Sequence, residues 1–227
     1  AAGAFNQWWE ADLDRLMKRT KGRPFATGAL TPHAGWLALI IAMVLLSGLV
    51  AWSISNGPAA IYTVAGALVY AVVYTVWLKR RTWWNIVIGG LAGSFAVLAG
   101  AAAVDPALSP QAWLLTIVLF LWTPPHFWSL AIAFRDDYAA AGVPMLPVAK
   151  GDRIAAWAIT GHAVALLILT VALGLLSGGW VTTVLAALGG IWFVVEALRL
   201  QLQPNRSRAM RSFAASLVEL SLVLIGV

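Results

Sequence analysis

The chain has 227 residues, 61% of them hydrophobic and 11% charged, with a net charge of +6 and no cysteine. Its mean hydropathy is +0.84. Soluble domains run nearer half apolar and a quarter charged, so a water-facing globule, a disulfide scaffold and a disordered chain are excluded, as are thiolate metal sites.

An all-α polytopic membrane protein remains, because helices apolar on every side need lipid or protein around them, and lipid demands that backbone groups pair within each segment. Residues 1–14 read as the last part of one helix, since the chain opens Ala1-Ala2-Gly3-Ala4-Phe5 without an initiator Met. Seven apolar runs follow, at roughly 34–54, 58–78, 84–104, 110–134, 154–176, 180–200 and 209–227. Each is near the ~20 residues that cross a bilayer as a helix. Turn-like separators lie at Ser55-Asn56-Gly57-Pro58, Asp105-Pro106, Ser109-Pro110 and Ser177-Gly178-Gly179.

All 15 Lys and Arg fall in the alternate connections: 15–23, 79–81, 135–153 and 199–211. The intervening loops carry no basic residue and one acid, Asp105. Such alternation predicts that the basic segments face the cytoplasm. The net positive charge then reflects topology and anionic lipid headgroups, and a nucleic-acid partner is not expected.

Two acidic clusters fall on that one membrane face. In the first, Asn6, Glu10 and Asp14 are four apart, so each advances about 40° around a helix and about 6 Å along it. They form one stripe, and Asp12 points elsewhere, as an outer support or a salt-bridge partner. The second is Arg135-Asp136-Asp137-Tyr138, after the fourth run. Two readings of the first cluster stay open. It is a polar cap whose acids pair with Arg15, Lys18 and Arg19, or it is functional, because carboxylates within a membrane helix are costly. Carboxylate and carboxamide oxygens are the ligands Mg²⁺ prefers, bridged to substrate phosphates. Acids flanked by Lys79, Arg80, Arg81 and Arg135 suit metal-bridged diphosphate binding. A transporter with an intramembrane acid relay is the reading from another class, against which the acids gather at one face and no inverted repeat is visible.

The stretch from Asn6 to Gly28 reads N-x-x-x-E-x-x-L-D-x-x-M-x-R-T-x-x-R-x-x-x-x-G. It resembles the signature of the UbiA superfamily of intramembrane prenyltransferases. Thr123-Pro-Pro-His-Phe-Trp128, Arg135-Asp-Asp-Tyr with Gly142-Val-Pro-Met-Leu-Pro147, and Leu78-Lys-Arg-Arg-Thr-Trp-Trp-Asn85 narrow the resemblance to the branch that farnesylates protohaem IX. A branch acting on an aromatic or quinone precursor is the alternative within the superfamily.

The resemblance implies a nine-helix bundle, of which about seven and a half helices are expected here. The expectation is thus one transmembrane prenyltransferase domain over 1–227, without the family's first helix and the start of its second. It implies farnesyl diphosphate and protohaem IX as substrates, with haem O as product. Mg²⁺ is the implied cofactor, held through diphosphate by Asn6, Glu10 and Asp14 and by Asp136 and Asp137. Lys79, Arg80, Arg19 and Arg135 are diphosphate candidates. His126, Trp128 and Tyr138 are candidates for the haem or prenyl pocket. The alternative for His126 is a buried imidazole bonded to a carbonyl freed by a kink at Pro124-Pro125. Trp8, Trp9, Trp83, Trp84 and Trp128 are candidate walls of the prenyl cavity. The implied setting is the bacterial inner membrane with cytoplasmic site loops, and the implied partners are haem A synthase or a terminal oxidase in assembly. His33, His162 and Glu219 receive no role.

Overall fold

The computed structural model describes residues 1–226, and among them every regular element is helical. In chain order these are α1 (Ala2–Trp9), α2 (Ala11–Leu16), α3 (Pro24–Thr27), α4 (Ala34–Ile54), α5 (Gly57–Leu68), a π-helix (Val69–Leu78), α6 (Asn85–Gly89) and α7 (Leu91–Val104). Then come α8 (Pro110–Ala133), α9 (Arg135–Ala140), α10 (Leu146–Lys150), α11 (Asp152–Leu176), α12 (Trp180–Leu202) and α13 (Arg206–Gly226).

Seven stretches among the described residues are long and apolar enough to cross a membrane: α4, Gly57–Leu78, Asn85–Val104, α8, α11, α12 and α13. They fall on the seven expected runs within a few residues at each end. The turn residues between runs act as helix starts. Asn56 Oδ1 accepts from Ala59 N at 2.9 Å, and Ser109 Oγ accepts from Ala112 N at 3.2 Å. Pro58 and Pro110 stand in the first turn, where a missing N–H costs nothing. His33 also has a part, since its Nδ1 caps α4 through Gly35 N at 3.0 Å.

Three local departures from plain helices appear. The first helix breaks at Glu10, with φ −107° and ψ 21°. The second span continues from α5 into ten residues of π-helix. The third is divided at Gly90. By contrast α8 continues through Pro124 and Pro125, and the Thr123 and Ser129 hydroxyls donate to the carbonyls of Leu119 and Pro125, both at 2.8 Å.

The chain divides into two compact units. Unit 1 is Ala1–Leu108 with Asp136–Pro144, and holds α1–α7 and most of α9. In it α5 packs between α4 and α7. A Cβ on Gly89 would lie 2.7 Å from the Tyr74 ring, so this glycine lets α6 approach the π-helix. Unit 2 is Ser109–Arg135 with the described residues from Met145 onward. Its helices α8, α11, α12 and α13 enclose fully buried Leu173, Ala186 and Val223, with Leu114 and Leu115 packed beside them. Here Gly189 brings α12 against α13, where an added Cβ would meet Glu219 Cα at 2.9 Å. Such small-residue contacts are how membrane helices gain dispersion energy without a hydrophobic drive.

A candidate diphosphate and metal site in unit 1

The helical break at Glu10 leaves the acidic stripe intact. Glu10 N donates to Asn6 O at 2.9 Å and Asp14 N to Glu10 O at 2.8 Å, so the four-residue register survives the change of helix. Asn6, Glu10 and Asp14 are 5%, 0% and 2% exposed. Burial of such groups is tolerable only where bonds and charges compensate.

The compensation comes from far along the chain. Lys79, at the end of the π-helix, bonds Glu10 Oε2. Arg23, ahead of α3, sets one nitrogen 3.0 Å from each oxygen of Asp14 and 3.4 Å from Asn6 Oδ1. Asn6 Nδ2 in turn donates to Glu10 Oε2 at 2.6 Å and to Thr75 Oγ1 at 3.3 Å. The polar-cap alternative, with Arg15, Lys18 and Arg19 pairing these acids, is not the arrangement formed: Lys79 and Arg23 pair them, and Arg15 Nε bonds Ala26 O at 2.9 Å. Asp12 lies off the stripe as expected, exposed, in a two-point pair with Arg80 at 2.9 and 3.1 Å.

The charges follow these partners. The Arg80 guanidinium holds the Asp12 carboxyl below its usual range, and the same pair raises Arg80. Burial lowers Lys79, and the Glu10 charge works against that.

The second acidic cluster belongs to the same unit. Asp136 is exposed, while Asp137 is half-buried with Oδ2 enclosed and unpartnered. Tyr138 is buried, its carbonyl accepting from Val143 N at 2.9 Å. Burial raises the Tyr138 hydroxyl, and the charge of nearby Arg19 pulls the other way. Arg19 thereby joins the basic segment after the first cluster to the second cluster.

Arg135, His126 and Trp128 belong to unit 2. Arg135 is exposed and lies 3.7 Å from Asp152. His126 is buried, its Nδ1 at 2.9 Å from Ser216 Oγ, with the ring stacked on Trp122 at 4.2 Å and Phe213 at 4.4 Å. Its partner is a hydroxyl on α13, not the freed carbonyl expected beside the prolines. Trp128 meets the His162 ring edge-on at 5.4 Å. The other Trp candidates form two groups in unit 1: Trp8 and Trp9 with Phe5, and Trp83 stacked on Trp84 at 4.2 Å.

Sequence reasoning missed Arg23, Thr75 and Asn85 as members of this site. Arg23 stood in the Asn6–Gly28 motif, so a signal existed. Asn85 is fully buried, donates to Lys79 O at 3.3 Å and has an unpaired Oδ1. Nothing in its spacing placed it beside Lys79.

The donors suit a hard divalent cation. They are oxygens only, and Glu10 Oε1 is buried without a partner. Among the described residues no three His, Asp or Glu side chains close around one point. An ion here would complete its shell with substrate oxygens, the usual habit of Mg²⁺.

Comparison with known proteins places the chain in a family. The model of the UbiA prenyltransferase family matches residues 1–221. The chain belongs to the UbiA prenyltransferase family. Protoheme IX farnesyltransferase 2 of Paramagnetospirillum magneticum is 51% identical across all of this chain and 79% of its own length. Protoheme IX farnesyltransferase 1 of the same organism is 48% identical, over 100% and 80%. The UbiA fold is confirmed by two solved structures. A digeranylgeranylglyceryl phosphate synthase superposes with a TM-score of 0.79 at 20% identity, covering 99% of this chain and 78% of its own. A UbiA homologue from Aeropyrum pernix K1 gives 0.74 at 21%, covering 99% and 83%. This UbiA member is thus an all-helical integral membrane protein with a paired acid–cation cluster in unit 1.

Proposed function

We propose that the chain transfers the farnesyl group of farnesyl diphosphate to a vinyl group of protohaem IX, giving haem O and diphosphate. The observation that carries this reading is the 51% identity, over the whole chain, to a protohaem IX farnesyltransferase. The setting is the bacterial inner membrane with the site loops cytoplasmic, as the basic alternation of the loops supports.

In this reading Asn6, Glu10 and Asp14, together with Asp136 and Asp137, would hold the metal-bound diphosphate. Mg²⁺, when bound, neutralises charge on the departing diphosphate. Lys79 and Arg23 are already fixed by Glu10 and Asp14, so they meet that charge without reorganising, which is where electrostatic catalysis gains most. Arg80, Arg19 and Arg135 are outer contributors to the anion's field. The bond from farnesyl C1 to oxygen breaks, its electron pair leaving on diphosphate. The vinyl π electrons attack the allylic cation, and water adds to the resulting cation and loses a proton. Exclusion of water delays capture of the first cation, and His126, Trp128 and Tyr138 are each candidates for contact with the haem or the prenyl chain.

The test uses membranes carrying the native protein, incubated with protohaem, farnesyl diphosphate and Mg²⁺, with EDTA as control. Mass spectrometry of extracted haems is expected to show Mg²⁺-dependent addition of one farnesyl group and one hydroxyl group. Unmodified protohaem alongside folded protein would contradict the reading.

A further inference from the structure

The π-helix Val69–Leu78 lies against α1. Its pairing runs five residues back, as in Lys79 N to Tyr74 O at 2.9 Å. With that winding, residues four and five apart share a face. Tyr70, Tyr74 and Thr75, then Lys79 and Arg80, form such a series, and Thr75 and Lys79 both bond the acidic stripe. A π-segment within a span is uncommon and is found mostly at functional sites.

Thr75 is fully buried. Its hydroxyl donates to Tyr70 O at 2.8 Å, which uses its only proton and leaves the oxygen as an acceptor. That acceptor faces Asn6 Nδ2 at 3.3 Å. A carboxamide has one donor end and one acceptor end. With Nδ2 directed to Thr75 and Glu10, Oδ1 is turned toward Arg23. We infer that Thr75 is a positioning residue for the diphosphate site, fixing the Asn6 carboxamide so that its oxygen is presented for metal and diphosphate. The inference rests on the prenyl-transfer reading of this site and adds to it a residue that bears no charge and touches no substrate.

Removal of the acceptor leaves Asn6 Nδ2 held by Glu10 alone and loosens the orientation of the carboxamide. The experiment uses the native protein in lipid nanodiscs, with calorimetric binding of inorganic diphosphate across a Mg²⁺ titration. Thr75→Val keeps shape and removes the hydroxyl, and Thr75→Ser keeps the hydroxyl. We expect the Mg²⁺ concentration for half-saturation to rise about tenfold in Thr75→Val, the size of one well-placed hydrogen bond, and to stay within about twofold of wild type in Thr75→Ser. Diphosphate binding without Mg²⁺ is expected to be equal in all three. Equal Mg²⁺ dependence in Thr75→Val, or an equal defect in Thr75→Ser, overturns the inference. Failure of Thr75→Val to accumulate as folded protein assigns Thr75 to stability and also overturns it. If wild type itself shows no Mg²⁺-dependent binding, the prenyl-transfer reading falls first.

Discussion

Unit 1 and unit 2 both bury carboxylates, but they treat them differently. In unit 1, Glu10 and Asp14 each face a cation brought from another part of the chain, Lys79 and Arg23. In unit 2, Glu219 is 1% exposed on α13, and neither of its oxygens has a hydrogen-bond partner among the described residues. Glu196 lies between these cases, with one oxygen 2.5 Å from Arg199 and the other unpaired. A buried pair is weak evidence for stability, because desolvation consumes most of what the attraction returns. Retention of two such pairs around one carboxamide therefore indicates a task, whereas the solitary Glu219 gives no sign of one.

This contrast is open to direct attack. The largest expected effect is on turnover: Asp14→Asn is expected to lower kcat on the order of 100-fold or more, the scale of losing one preorganised charge contact, without loss of folded protein. Asp136→Asn tests the second cluster in the same assay. Folded yield by size-exclusion chromatography beside haem product formation checks both. If both variants keep near-wild-type rates, the acidic clusters are not the diphosphate site.

Next in size is the cost of orphaning a buried acid. Lys79→Met leaves the buried Glu10 without its cation and is expected to destabilise the protein by about 3–5 kcal/mol. Adding Glu10→Gln should restore much of that stability and none of the activity. Denaturation in detergent separates the two effects, and recovery of turnover by the double variant would refute the catalytic reading of the pair.

Unit 2 should behave in the opposite sense. Glu219→Leu removes a buried carboxyl that has no partner, and is expected to raise stability by about 1–3 kcal/mol at unchanged turnover. A fall in Tm would show that Glu219 has a partner role.

The smallest effect belongs to the exposed pair. Asp12→Asn is expected to cost less than about 1 kcal/mol. Because Arg80 holds the Asp12 carboxyl below its usual range, this contribution is complete above the ordinary carboxylate range. It is lost as pH falls through the lowered value, so wild-type and variant stabilities should converge in acid. Curves that diverge there would contradict the pairing.

The spans were legible because lipid imposes length and apolarity on each segment, and the structure places all seven on the expected runs. The stripe of Asn6, Glu10 and Asp14, with Asp12 off it, was legible because helical spacing fixes faces locally. The break at Glu10 was not, since it changes the helix without changing the register. Lys79 was visible as a diphosphate candidate. Its pairing with Glu10 spans 69 residues and is set by packing of the π-helix on α1. Thr75 is one hydroxyl in an apolar run, and only the i−5 winding gives it meaning. Arg23 stood among five basic residues in one segment, where charge alone could not single it out.

The most direct measurement is diphosphate release from farnesyl diphosphate, with protohaem and Mg²⁺, in wild type, Asp14→Asn and Glu219→Leu side by side. The account predicts that Glu219→Leu follows wild type and that Asp14→Asn falls to the EDTA background. Release by Asp14→Asn at the wild-type rate, or its loss in Glu219→Leu alone, would contradict the assignment of the reaction to the paired acids of unit 1.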